Sequence, residues 1–88
     1  MNYETASDDE INKAVQHLKQ GKQLWYPLID YCNNPSDAWP IIVENRISIN
    51  NYEEDHWEAD HTDYIDSVYH INPLRAAMIV FLKMQEAA

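Results

Sequence analysis

Side chains that could bind a metal ion or take part in catalysis occur close together in the second half of the sequence. Asp55 and His56 are followed by Asp60 and His61. Carboxylate oxygens and imidazole nitrogens are common ligands of zinc and manganese. The H-x4-H spacing differs from the closer spacings of structural zinc sites, and along a strand His61 would point away from His56 and Asp60. These four residues give one hypothesis, a metal-dependent or nucleotide-processing enzyme.

Other catalytic motifs are missing from the sequence. The lone cysteine, Cys32, has no histidine at a spacing that would place an imidazole beside its thiol. With a single glycine, Gly21, the chain cannot form a glycine-rich phosphate loop, and it has no G-x-S-x-G motif. We therefore expect no enzymatic activity, no cofactor and no bound metal. Cys32 is expected to be a core side chain, and the histidines are expected to be solvated.

An acidic stretch is the most unusual feature of the sequence. The 88 residues include 15 Asp and Glu against six Lys and Arg, which gives a formal net charge of −9. Between Ile47 and Leu74 there are seven acidic residues and no Lys or Arg, so this segment carries −7. Tyr and Trp side chains alternate with the carboxylates. The predicted partner-binding residues are Tyr52, Glu53, Glu54, Asp55, Trp57, Glu58, Asp60, Asp63, Tyr64 and Asp66.

This charge distribution favours some partners and disfavours others. An acidic surface repels phosphate and anionic lipid, so we expect neither direct nucleic-acid binding nor membrane binding. It attracts a basic protein surface, and aromatic side chains can supply the buried contacts. A host or phage protein that itself binds nucleic acid would fit, with the carboxylates imitating a phosphate backbone. A plainer alternative is that the charge keeps a small protein soluble.

The first predicted element of the fold is an amphipathic N-terminal helix over residues 8–20. Ser7 and Glu10 have the S-x-x-E form of a capping box. Gly21 follows the last turn, where a left-handed residue often ends a helix. The predicted apolar stripe comprises Ile11, Ala14, Val15 and Leu18.

The middle of the chain is expected to be more irregular. Residues 22–35 read as an extended, half-buried connection that contains Pro27 and ends in turn-forming residues. A short middle helix is predicted to begin at Ser36 or Asp37 and to run through Arg46, with Pro40 in its first turn. Its predicted inward face comprises Trp39, Ile42 and Val43.

A small antiparallel sheet and a long helix are predicted to follow. Alternation of apolar and polar residues predicts strands at 47–49, 56–60 and 68–71, with a turn at Asn50-Asn51. Asn72 and Pro73 are typical N-cap and N1 residues of a helix. The final helix is apolar around most of its circumference, so it is either central to the core or the interface of a homodimer through residues 74–84.

The order of these elements predicts an α+β fold in a single domain covering residues 1–88. The N-terminus has neither the basic nor the apolar region of a secretory signal. The longest apolar run, residues 76–82, is far below the roughly 20 residues that span a bilayer. We therefore expect a cytoplasmic protein.

Three stretches of the sequence are similar to a known family. Residues 7–12 (SDDEIN), 30–42 (DYCNNPSDAWPII) and 72–82 (NPLRAAMIVFL) resemble the NinX-like family of short phage and prophage proteins. The acidic middle, residues 53–67, is the least family-like part. The resemblance implies an origin in a phage or prophage accessory region and expression in a bacterial cytoplasm. It implies no established activity and no functional residues, but it favours binding to a host protein.

Overall fold

A computed structural model describes residues 1–21 and 27–87, with only the backbone described at Tyr64 and Ile65. Three helices and a three-stranded antiparallel sheet follow one another in the predicted order, which confirms the α+β fold. The elements are α1 (Asp8–Gln20), α2 (Pro35–Glu44), β1 (Ile47–Glu53), β2 (His56–His61), β3 (Tyr64–His70) and α3 (Pro73–Ala87).

Helix α1 begins as the sequence predicts. The Ser7 side chain accepts a hydrogen bond from the Glu10 amide at 3.1 Å, and the Glu10 carboxylate accepts one from the Ser7 amide at 3.2 Å. Gly21 at the end of the helix has a φ of +75°, which favours glycine.

The buried face of α1 differs from the predicted stripe. Ile11 and Val15 are fully buried as predicted, but the Leu18 side chain is 51% exposed. The two remaining buried positions are polar, Asn12 and Gln16. Their amides form hydrogen bonds with residues 27–32 of the connection. The buried side of the helix therefore includes Asn12 and Gln16 and leaves Leu18 exposed.

The connection before α2 is partly described. The part of the predicted 22–35 segment that lies at 22–26 is outside the described residues. From Pro27 to Asp30 the chain forms neither helix nor strand, and residues 31–33 form a turn. Tyr31 and Cys32 are buried, which agrees with a half-buried connection.

Helix α2 begins earlier than predicted. The Asn34 side chain accepts a hydrogen bond from the Ser36 amide at 3.1 Å and caps the helix, so Pro35 is its first residue. Pro40 consequently lies inside the helix, where it has no N–H to donate to the Ser36 carbonyl. The helix nevertheless continues to Glu44.

The predicted inward face of α2 is wrong at two of its three positions. Ile42 is buried, but Trp39 is 60% exposed and Val43 is 56% exposed. Ala38 and Ile41 occupy the core instead. Positions 38, 41 and 42 lie on one side of the helix, and Trp39 and Val43, four residues apart, form the neighbouring stripe that faces outward.

The sheet has the order β1-β2-β3 with antiparallel pairing between neighbours. Ile49 of β1 lies opposite Ala59 of β2, and Ala59 lies opposite Val68 of β3. The predicted turn at Asn50-Asn51 is wrong: both residues continue β1, and the turn to β2 is at residues 54–55. Each strand is also longer than its predicted core of apolar residues.

Helix α3 packs across one side of the sheet and forms the centre of the core. The Asn72 side chain caps it by accepting from the amides of Leu74 at 2.9 Å and Arg75 at 3.2 Å. Residues 75–82 are all buried within this one chain. This agrees with the alternative in which α3 is central to the core, and a homodimer through residues 74–84 stays an untested prediction.

Candidate functional site

One side of the sheet faces α3 and the other is open. Because side chains alternate along a strand, residues on the side opposite the buried Ile47, Ala59 and Val68 point away from the core. These outward residues are exposed or half-exposed. They comprise Ser48, Asn50, Tyr52, Glu58, Asp60 and Tyr69, and we refer to them as the open face.

A row of contacts crosses all three strands on the open face. The Tyr69 hydroxyl donates to Glu58 Oε2 at 3.1 Å, and Asn50 Nδ2 donates to Glu58 Oε1 at 3.4 Å. The rings of Tyr52 and Tyr69 lie with their centroids 4.5 Å apart at an angle of 55°. The hydrogen bond to Glu58 is the main reason why the pKa of Tyr69 is raised. The Glu58 carboxylate is thus held in place beside two exposed aromatic rings.

The predicted partner-binding residues are distributed over the open face and two turns. Tyr52, Glu58 and Asp60 belong to the open face. Glu53, Glu54 and Asp55 are exposed at the β1–β2 turn, which we refer to as the acidic turn. The remaining acids are also exposed, Asp63 at the β2–β3 turn and Asp66 within β3.

One aromatic residue of the prediction faces away from this surface. Trp57 is half-buried and lies on the same side of β2 as Ala59, so it faces α3. The side chain of Tyr64 lies outside the described part of the structure. Tyr69, which was not among the predicted partner-binding residues, contributes a second aromatic ring to the open face.

The predicted metal-binding set is not assembled. His56 Nδ1 lies 2.9 Å from Asp55 Oδ1, and this contact holds the pKa of Asp55 below its usual range. Asp60 and His61 lie at the other end of β2, about 13 Å away along the strand. His61 Nδ1 there accepts a hydrogen bond from the Asp63 amide at 3.1 Å. One ion cannot contact all four residues.

A different set of potential ligands meets at the acidic turn. Glu53, Asp55 and His56 can each place one ligand atom within 4.8 Å of the others. All three side chains are exposed or half-exposed, and exposed acidic groups often come this close without a metal. These three side chains are therefore closer together than the four predicted ligands, but their proximity alone does not indicate a metal site.

Cys32 has the environment of a core residue, as predicted. Its side chain is fully buried, and Sγ lies 4.0 Å from the Asp8 carbonyl oxygen. Burial raises the pKa of the thiol to about 12. A buried thiol that stays protonated at neutral pH is a poor nucleophile and a poor metal ligand.

The buried Arg75 side chain makes several polar contacts that were not predicted from the sequence. Its guanidinium contacts Asp8 at 2.6 Å and donates to the carbonyls of Tyr3 and Ala6. The signal in the sequence is that Arg75 is the sole charged residue of the apolar stretch from Leu74 to Leu82. A charge at the start of a core helix must find partners if it is to be buried.

The fold and the open face define a small α+β protein with a one-sided sheet whose solvent side is acidic and aromatic. The family comparison agrees with the resemblance seen in the sequence. The chain belongs to the family described as Bacteriophage P22, NinX, whose model matches residues 2–85, and it is therefore a phage accessory protein. Comparisons with curated proteins and with solved structures gave no match. Within the described residues, no helix has the length and apolar character needed to cross a membrane.

Proposed function

We propose that this chain is a non-catalytic phage accessory protein that works in the host cytoplasm by binding a basic protein. The binding surface is the open face together with the acidic turn. The observation that carries the proposal is the placement of the acidic side chains. Six of the seven carboxylates lie on the open face or at the two turns, and the seventh, Asp66, is exposed within β3, while the opposite side of the sheet packs against α3.

Electrostatics supports a basic partner. The segment from Ile47 to Leu74 contributes no positive charge that could neutralise its seven carboxylates. Such a surface accelerates association with an oppositely charged site and disfavours acidic competitors. The exposed rings of Tyr52 and Tyr69 supply apolar area that a partner can bury.

The partner that best fits this surface is a host or defence protein with a groove for nucleic acid. Its Lys and Arg side chains are spaced to contact phosphates. A protein that places carboxylates in that groove competes with the nucleic acid and inhibits the enzyme or complex. This acidic mimicry requires no catalytic group, in agreement with the buried, protonated thiol of Cys32.

The test compares two variants that lose the same negative charge. The turn variant carries Glu53→Gln, Glu54→Gln and Asp55→Asn, and the control variant carries Asp9→Asn, Asp37→Asn and Glu44→Gln. Tagged proteins are used to capture basic proteins from bacterial lysate at low salt, and the affinity for the captured protein is then measured against salt concentration. We expect the turn variant to bind more weakly, with a flatter salt dependence, than the control variant.

Equal affinities of the two variants would contradict the assignment to the acidic turn: if both bind more weakly than the wild type, total charge alone matters, and if both bind like the wild type, these charges do not contribute. Capture that is unchanged from low to high salt would contradict the electrostatic basis of the proposal. Circular dichroism of both variants checks that the fold is retained.

A further inference from the structure

We propose that the open face recognises an arginine side chain of the basic partner in preference to lysine. The guanidinium would contact the Glu58 carboxylate and lie against the rings of Tyr52 and Tyr69. This inference rests on the proposed function and specifies the chemistry of the partner group at the centre of the surface.

The position of Glu58 is the first argument. Each of its carboxylate oxygens already accepts one hydrogen bond within the chain, from Asn50 on one side and Tyr69 on the other. A carboxylate oxygen can accept two, so each retains one acceptor site. Glu58 is half-exposed, so both oxygens remain available to the two parallel N–H groups of a guanidinium.

The aromatic pair is the second argument. Tyr52 is 56% exposed and Tyr69 is 48% exposed, although the two rings contact each other. A planar guanidinium can stack on such a ring while it donates in its own plane to a neighbouring carboxylate. A lysine ammonium is not planar and cannot form the bidentate contact, so we expect the same site to bind lysine more weakly than arginine.

The absence of an internal cation is the third argument. The ion pairs of the described residues join Lys19 to Glu44, His56 to Asp55, and Arg75 to Asp8, and none includes Glu58. Asp60 adds a second carboxylate two residues further along the same side of β2. Glu58 is therefore held by neutral donors in an acidic environment, and its charge is left for a partner.

The experiment uses two labelled peptides that differ in one residue type. Both are nine residues long with a Gly-Ser background, and each carries three Arg or three Lys at the same positions. Fluorescence anisotropy at low salt measures their affinities for the full-length protein. We expect the arginine peptide to bind about three- to tenfold more tightly.

Two variants locate the preference. Tyr69→Phe removes the hydroxyl that fixes Glu58 but keeps the ring, and Glu58→Gln removes the charge. We expect each to reduce the Arg-to-Lys ratio to below about twofold. Tyr52→Leu, which removes a ring and touches no hydrogen bond of Glu58, should also lower the ratio, whereas Asp9→Asn, an exposed carboxylate on α1, should leave it unchanged.

The outcomes separate this inference from the proposed function. Equal affinities for the two peptides, with clear salt dependence, would overturn the arginine preference and leave binding of basic partners intact. Binding of neither peptide would overturn both. An arginine preference that survives Tyr69→Phe and Tyr52→Leu would place the recognition elsewhere and overturn the assignment to Glu58.

Discussion

At the scale of single residues, Arg75 links the last helix to the first eight residues of the chain. Its side chain is 8% exposed, and its guanidinium contacts Asp8 and two backbone carbonyls. Its Nε is buried and has no hydrogen-bond partner among the described residues. The hydrogen bond from Arg75 is also the main reason why the pKa of Asp8 is lowered.

We predict that Arg75→Met destabilises the protein by about 2 kcal/mol. The substitution removes the Arg75 donors to the carbonyls of Tyr3 and Ala6 and removes the ion-pair partner of Asp8. The value is below that of a fully buried ion pair because the Asp8 side chain is 41% exposed and therefore screened by water. Urea unfolding at pH 7 measures it, with the exposed Lys13→Met as a control that removes the same charge.

The pH dependence of that difference serves as a second readout. Because the pKa of Asp8 is lower in the folded state than its unfolded value, the ion pair stabilises the fold above the unfolded pKa. This stabilisation is lost as the pH falls through the folded pKa. The gap between the wild type and Arg75→Met should therefore shrink as the pH falls below the ordinary Asp pKa of 3.8, and a constant gap would contradict the assigned role.

At the scale of elements, helix α1 holds the connection to α2 through two buried amides. Asn12 accepts from the Cys32 amide at 3.0 Å and donates to Asp30 at 2.9 Å. Gln16 accepts from the Ile29 amide at 2.7 Å and donates to the Pro27 carbonyl at 2.9 Å. In the described part of the connection, residues 27–32, three backbone groups are thus satisfied by side chains of a neighbouring helix.

We predict that Asn12→Ala opens this connection and lowers the free energy of unfolding by about 1–3 kcal/mol, since the buried Cys32 amide loses its acceptor. Cys32 itself is the reporter, because it is the single cysteine and is fully buried. Its reaction with a thiol reagent under native conditions should accelerate at least about fivefold, the factor that corresponds to about 1 kcal/mol of local opening.

The matched control for that measurement is Gln20→Ala, an exposed amide on the same helix. Its thiol reactivity should equal that of the wild type. An unchanged rate in Asn12→Ala would mean that the connection is held by other contacts, such as those of Gln16.

At the scale of the whole molecule, the acidic open face and the apolar core lie on opposite sides of the sheet. The acidic segment forms the open side and turns of the sheet, and the buried residues of α3 lie behind it. The apolar side chains exposed elsewhere include Trp39 and Val43 on α2. The chain therefore covers residues 75–82 of α3, whereas one side of the sheet is exposed to solvent.

We predict a monomer in solution, because residues 75–82 of α3 are already covered by the same chain and two copies at −9 repel each other. Light scattering should give a mass near 10.4 kDa at high protein concentration, in low salt and in 1 M salt. A mass near twice that value would contradict the prediction. Repeating the measurement with Trp39→Ser would show whether the exposed stripe of α2 forms the interface.

The sequence by itself determined the parts of the fold that depend on local interactions. The capping box at Ser7 and the Asn72-Pro73 pair specified where α1 and α3 begin, because a cap is a contact between residues within one turn. The charge of the acidic segment follows from composition alone. The buried state of Cys32 was also expected from its residue type.

The tertiary structure decided which side of each element is buried. Leu18 and Trp39 are exposed although their residue types favour burial, and Asn12 is buried although it is polar. The spacing along a helix gives the relative positions of side chains but not the direction from which the neighbouring elements pack. That direction is set by contacts between residues far apart in sequence.

The candidate site was likewise decided by strand register. Tyr52 and Tyr69 are far apart in sequence and meet across β2, where Glu58 lies beside them. Pairing that differed by one residue would turn each of these side chains to the other side of its strand. The sequence alone shows that acidic and aromatic residues share one segment. The packing of α3 against one side of the sheet determines which of them remain exposed to a partner.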